Sequence, residues 1–551
     1  MPRMLATREK RLFTVAAIAL VLSTLVLGYR FWLHRTTITP ARGGEYTEAL
    51  VGAPHFINPL SAPSNDVDCD ITALVFSGLM KSDRDGNLVT DLASSYSMTD
   101  DQKQYTFVLR DNLTWHDGEP LTVDDIVYTI KTIQDPTYRS PLRVSFAGVD
   151  VKRIDTTTVT FTLKNPLPSF LSVLTVGIMP QHIWYSIPAA NAHLAEANIK
   201  PVGSGPFQFK SLAKDANGAI RNMTFARNEQ YYDQKPYLNQ ITFKFYSDFD
   251  SGVEALKNKN VDGLGYLPLE YAMDVATTNT LTVHELQQPL YTAMFFNPQK
   301  NATLKDRTVR AALALGLDRT KIAATAINGK GTVINGPLVN GQALDANAAG
   351  YTYDVDAANK KLDDAGWKRN ATTTMRFKDT TPLAIKVTAV DQQDNAKTLT
   401  LIKEQWQALG IATTLDLVPR SSVRKDVIDP RNYDLLLFGQ IIGYGQDPFA
   451  LWHSSQTQSP GNNLSLVTNK DVDTLLEKIR STKDAGERQK LYVQFQQKIT
   501  DEVFAIFLYN PLYLYPQSRT LKGFGITALA QPSDRFRTIA SWYTKSHRSF
   551  K

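Results

Sequence analysis

Trp115-His116-Asp117-Gly118-Glu119-Pro120-Leu121-Thr122-Val123-Asp124-Asp125 is the stretch on which the reading of this chain turns. Gly118 after Asp117 suits a tight turn. Thr122 stands where a helix N-cap belongs, with Asp125 placed to serve the first turn. Ile126, Ile130 and Ile133 then repeat at helical spacing, and Pro136 ends the run. Upstream, Tyr105–Leu109 alternates apolar and polar residues, the period of a half-buried strand. Val159–Leu163 and Ile241–Phe245 alternate in the same way. Trp115 itself reads as a packing residue.

The second half repeats the strand and helix grammar. Leu399, Ile402, Trp406 and Leu409 fall on one helical face. Gly410 follows at the C′ position, where a positive φ is needed, and Ile411, Thr413, Leu415 and Leu417 continue at strand spacing. Ala365-Gly366-Trp367 marks a similar helix end. Residues 471–507 read as one long helical region carrying Val472, Leu475, Leu476 and Ile479, then Leu491, Phe495 and Ile499. No internal repeat or low-complexity tract interrupts this, so the class is α/β or α+β.

At 551 residues the chain is too long for one core, and length alone suggests about three or four folding units or fewer large ones. With 43% hydrophobic and 21% charged residues it can bury real cores. A net charge of +6 with no dense basic stripe argues against nucleic acid as a partner. The one cysteine, Cys69, excludes an internal disulfide framework and a thiolate metal site. It also lies too far along the chain to carry a lipid directly after a signal segment.

Arg3, Arg8, Lys10 and Arg11 precede an apolar run from Leu12 to Tyr29, which Phe31, Trp32 and Leu33 extend into an aromatic interface anchor. No small-x-small cleavage site stands between Gly28 and Gly44, so an uncleaved membrane helix over 12–33 is preferred to a signal peptide. The basic N-flank (1–11) favours that end inside and the rest outside. Arg30, His34, Arg35 and Arg42 on the far side weaken the asymmetry. Residues 34–44 read as a short polar linker.

No catalytic constellation is visible. There is no HExxH, since His284-Glu285 runs into Leu-Gln-Gln, and no GxSxG elbow. Gly329-Lys330 lacks the rest of a phosphate loop. The eight histidines are scattered without ligand spacing, and Asp124-Asp125 and Asp363-Asp364 read as helix charges. The expectation is a binder with no cofactor and no metal, not an enzyme.

Several segments, taken in order, resemble solute-binding protein family 5, the peptide- and nickel-type binding proteins of ABC importers. Asn58-Pro59-Leu60, Leu74-Val75-Phe76-Ser77-Gly78-Leu79, Asp91-Leu92-Ala93 and Tyr105-Thr106-Phe107 precede the 115–125 block, which is similar to the family's W-x-D-G-x-P-hydrophobic-T-A-x-D signature. Gly203-Ser204-Gly205-Pro206-Phe207 resembles its G-T-G-P-F/Y turn. Phe296-Asn297, Val309-Arg310-Ala311-Ala312-Leu313, Asp318-Arg319, Leu409-Gly410-Ile411 and Tyr433-Asp434 follow. The resemblance implies a two-lobed, periplasmic-binding-protein-like α/β fold of type II with an extra inserted subdomain. Lobe I would comprise 45–80, 203–288 and 515–551, the inserted subdomain 81–202, and lobe II 289–514.

It further implies a monomeric extracytoplasmic receptor, tethered by its helix, that closes on a small ligand and passes it to ABC permease and ATPase subunits. A short peptide held as an added strand is the expected ligand. Three segments match cleft-lining positions of the family: one with His55, Phe56 and Asn58, one with Tyr291, Thr292 and Phe295, and one with Gln440, Ile441, Tyr444 and Asp447. Arg420 matches a position that often faces ligand. One departure stands out. Tyr444 occupies the place where peptide binders usually carry an amine-binding aspartate, and Asp447-Pro448 supplies only the later acidic pair. Longer or blocked peptides, glycans or a metal chelate therefore stay open as ligands, and a membrane-tethered hydrolase is the distant alternative.

Overall fold

A computed structural model describes residues 7–167, 169–339, 350–442 and 447–550. The helix Thr7–Arg35 comes first, and an 18-residue window within its Leu12–Arg35 part has a mean hydropathy of 2.2 with none of it buried against the rest of the protein. Thr36–Ala41, expected to be linker, is a strand paired antiparallel with Lys545–Phe550. Local pattern could not show this, because the pairing partner lies some five hundred residues away and the strand is polar.

Two large mixed sheets follow. The first orders its strands Leu281–Leu286, Tyr513–Ser518, Gly263–Leu264, Glu45–Val51, Gln240–Tyr246, Ile220–Arg227 and Phe207–Lys214. Glu45–Val51 lies parallel to both Gly263–Leu264 and Gln240–Tyr246. The second orders Gly331–Val333, Ala505–Pro511, Leu290–Phe296, Leu435–Ile441, Ala384–Val390 and Ala412–Val418, the last three mutually parallel. Both faces of each are covered by apolar side chains, which is why strands such as Leu290–Phe296 read as continuous apolar runs. A smaller antiparallel sheet of Ala93–Met98, Gln104–Leu109, Thr158–Thr162 and Asp150–Arg153 has its own core.

The expected helix after Pro120 runs Val123–Gln134. The Thr122 N–H donates to the Asp125 carboxylate at 2.8 Å, closing a capping box, and Ile126, Ile130 and Ile133 are fully buried. Helix Gln393–Ala408 ends at Gly410, whose φ of 83° is the left-handed value read from the sequence. The region 471–507 is not one helix. Lys470–Ser481 stops, Asp484 caps Ala485–Asp501 through Glu487 N–H, and Ala505–Pro511 is a strand of the second sheet.

The motif blocks meet at one joint. His116 N–H donates to Gly203 O (2.8 Å), its Nδ1 accepts from Gly203 N–H (3.1 Å), and its Nε2 lies 3.0 Å from Gly205 O. Gly205 N–H donates to Val75 O at the end of helix Asp66–Val75. A Cβ on Gly203 would lie 1.9 Å from Val75 O, so only glycine fits that approach. The blocks near 75, 115 and 203 thus fasten the small sheet's module to the first sheet. Behind them, Arg535, wholly buried, forks onto Glu48 (2.7 Å) and Asp70 (2.6 Å), while Tyr46 and Tyr515 donate to Glu48. This network binds the 532–536 turn to strand Glu45–Val51 and helix Asp66–Val75.

Candidate ligand-binding site

The two large sheets present their functional ends in the same way. In open α/β sheets, ligands bind beyond the carboxyl ends of parallel strands. In the first sheet those ends are Val51, Tyr246 and Leu264. In the second they are Val390, Val418 and Ile441. The residues that follow them meet. Tyr266, just past Leu264, lies in the field of Asp394 and Arg420, which follow Val390 and Val418. Burial first, and then the Asp394 charge, push its hydroxyl up to about 12 against the opposing charge of Arg420. The residue is still 38% exposed, as suits a wall of an open cleft. Phe249 (5.9 Å) and Tyr513 (5.2 Å) pack around its ring. Leu269, on the same rim, packs against the core of the second sheet.

Among the described residues the chain passes between the two sheets at 287–289 and again at 511–512. The two passages are tied together. Asn510 donates to Gln288 O and Leu290 O, Leu512 N–H donates to Lys330 O, and Lys330 reaches Glu285 at 2.6 Å.

The residues expected at the cleft divide into three groups. Exposed His55 and half-buried Phe56 stand on the rim past Val51, their backbone N–H groups both donating to Asp68. Ile441 (50% exposed) and exposed Arg420 stand on the opposite rim. The second group is spent on internal structure. Asn58 is buried, donates to Tyr138 and accepts from Leu60 N–H. Tyr291 and Phe295 are buried under the helices Lys470–Ser481 and Ala485–Asp501. The Tyr291 hydroxyl donates to Gln440 and accepts from Trp452, and Gln440 continues to Asn462 O. Thr292 is buried. These residues line the strand that enters the cleft, but their side chains shape its wall from behind. The third group concerns the departure at position 444. Tyr444 lies outside the described residues. Asp447 is held by Arg480 at 2.6 Å and caps Phe449 N–H, while Arg480 stacks 3.7 Å above the Phe449 ring. A ligand amine would have to compete with that guanidinium for Asp447.

Tyr266, Phe249, Tyr513 and Asp394 were not singled out from the sequence. Tyr266 follows a two-residue strand that carries no periodicity, and Asp394 looks like an ordinary first-turn charge. The signal that would have found them is the parallel-strand rule, which requires the topology. A separate cavity of about 530 Å³, walled by Pro59, Phe76, Met80, Phe146, Val176 and Phe536, lies at the motif joint and takes no lining residue from the second sheet. It is distinct from the facing rims. Among the described residues no group of three or more His, Cys, Asp or Glu side chains could hold a metal ion.

The family profile of bacterial extracellular solute-binding proteins, family 5 (Middle), matches residues 87–462. The chain belongs to this family. It is 26% identical over 494 residues to the oligopeptide-binding protein AppA of Bacillus subtilis, covering 88% of this chain and 89% of that one. The structure of B. subtilis AppA in complex with a nonapeptide superposes with a TM-score of 0.74 at 25% identity, covering 92% of this chain and 99% of AppA. NikZ of Campylobacter jejuni in complex with Ni(L-His) superposes with a TM-score of 0.77 at 26% identity, covering 91% and 99%. The family is one of solute-binding proteins, and the chain shares its mixed α/β fold, preceded by one apolar helix.

Proposed function

We propose that this family 5 protein captures a peptide between its two large sheets, outside the cytoplasm, and delivers it to the permease and ATPase subunits of an ABC importer. The observation that carries the reading is the approach of the two sets of parallel-strand ends, where Leu269, beyond Leu264, packs against the core of the second sheet and Tyr266 feels the charges of Asp394 and Arg420. A ligand there touches both sides only when they are close, so it favours closure, and the tied passages at 287–289 and 511–512 are the hinge. Sheet membership supports a lobe I that gathers its strands from 45–51, 207–246, 263–286 and 513–518, and a lobe II lying between the hinge passages. The peptide class is supported by the AppA likeness. The committed state of Asp447 favours a ligand whose amino terminus is not gripped by one buried acid, such as a longer or blocked peptide. Helix Thr7–Arg35 is the tether in this reading, retained because the strand directly after it is built into the fold.

The test is mass spectrometry of ligand carried through purification, followed by thermal-shift titration with peptide pools. Ligand at about 100 times its Kd stabilises by roughly 2.7 kcal/mol. Absence of both a co-purified peptide and any shift would overturn peptide capture. A nickel or chelate signal in the same spectrum would replace the peptide with a metal complex.

A further inference from the structure

The membrane-proximal end of the protein is a built surface. Helix Thr7–Arg35 passes into strand Thr36–Ala41 with no intervening residue, and that strand pairs along its whole length with Lys545–Phe550. The joint is stitched. Thr36 Oγ1 donates to Trp32 O (2.7 Å), and Arg548 donates to Thr36 Oγ1 (3.1 Å) and lies 5.2 Å from the centre of the Trp32 ring. Arg35 lies over Phe31 (5.4 Å), and Tyr29 stacks with Trp32. At its other end the ribbon is fixed to the first sheet's module. Gly43 N–H donates to Tyr237 O, Asn239 N–H donates to Gly44 O, and Trp542, three residues before the second strand, is fully buried.

The chemistry of this surface is one-sided. No Asp or Glu occurs from Leu12 to Gly44 or from Arg535 to Lys551. Arg42 leans on Glu229 at 3.9 Å, whereas Arg30, Arg35, Lys545 and Arg548 are exposed with no acid beside them among the described residues. Strand alternation puts Ile38, Arg548 and Phe550 on one face, and Ile38 (60%) and Phe550 (74%) are open to solvent. Exposed aromatics and aliphatics interleaved with guanidinium groups at the end of an apolar helix match the chemistry of a bilayer interface. There rings sit among headgroups, and cations meet phosphates.

We propose that this ribbon, with the end of the helix, docks on anionic phospholipid headgroups and holds the binding module at a set height and orientation on the membrane, where a flexible leash would let it wander. The proposal rests on the reading that the helix spans the bilayer. It is tested on the full chain in nanodiscs of phosphatidylcholine alone, or of phosphatidylcholine with about one-third phosphatidylglycerol. Amide hydrogen exchange over 36–41 and 545–550 should slow roughly tenfold in the anionic discs. The difference should vanish near 1 M salt and in the Arg35→Gln/Lys545→Gln/Arg548→Gln variant. Equal exchange in the two lipids, or slowing that survives the triple variant, overturns the proposal. Recovery of the chain outside the discs would remove the membrane-span reading, and the proposal with it, and is told apart from lipid indifference by the disc fraction itself.

Discussion

His116 should make the fold acid-sensitive. Its imidazole sits in the joint between the 115–125 block and the 203–207 turn, accepting from Gly203 N–H at Nδ1 and facing Gly205 O with Nε2. That pair of partners requires one proton, on Nε2. A second proton would have to go on Nδ1, against an N–H already pointing at it. Burial brings the imidazole pKa from 6.5 down to about 4. The sign follows directly. The unfolded chain takes up the proton at a higher pH than the folded one, so the stabilising contribution is complete above 6.5 and is lost as pH falls towards 4. At about 1.4 kcal/mol per pH unit, roughly 2 kcal/mol is lost by about pH 5 and about 3 kcal/mol by about pH 4. The assay compares urea unfolding of the wild type and His116→Gln at a series of pH values. Glutamine offers a donor and an acceptor but does not titrate. It should cost about 1 kcal/mol at neutral pH through poorer hydrogen-bond fit. It should then close that gap near pH 5 to 6, because the acid loss is absent. Buried carboxyls such as Asp68 and Asp125, whose pKa values burial raises, act in the opposite direction but equally in both proteins. Parallel curves, or a His116 Cε1–H resonance titrating near 6.5, would refute the reasoning.

Arg535→Met should destabilise the protein by about 3–5 kcal/mol in urea unfolding, because it strands Glu48 and Asp70 in a dry interior; an unchanged midpoint would show that the network is not a staple. Cys69, whose thiol burial and three neighbouring aspartates push up to about 12, should alkylate with iodoacetamide near pH 8 at least about 100-fold more slowly folded than in urea. Comparable rates in the two states would contradict that environment. Tyr266→Ala should weaken binding of the co-purified ligand roughly tenfold by calorimetry while leaving its stoichiometry intact, and unaltered affinity would place the ligand away from the facing rims.

Local chemistry carried much of the fold into view. Thr122, Asp125 and the isoleucine stripe mark their helix because caps and helical faces are short-range devices, and Gly410 marks a helix end because only glycine takes its φ without strain. The helical reading of 471–507 runs into the first residues of strand Ala505–Pro511, because a continuous apolar run, buried on both faces, has no period to distinguish it. Tyr291 and Phe295 look like cleft residues in a strand entering the site, yet helices cover the face they occupy.

The residue order of this chain by itself determined its family, its mixed α/β class and its apolar leading helix, since each is written in local spacing or in the order of short motifs. Tertiary structure alone decided that the motif blocks form a joint, that 36–41 is half of a ribbon with 545–550, and that Tyr266 comes into the field of Asp394 and Arg420. Those facts depend on which distant strands lie side by side. Pairing over hundreds of residues is settled by sheet topology and burial, for which no single stretch of sequence holds the pattern.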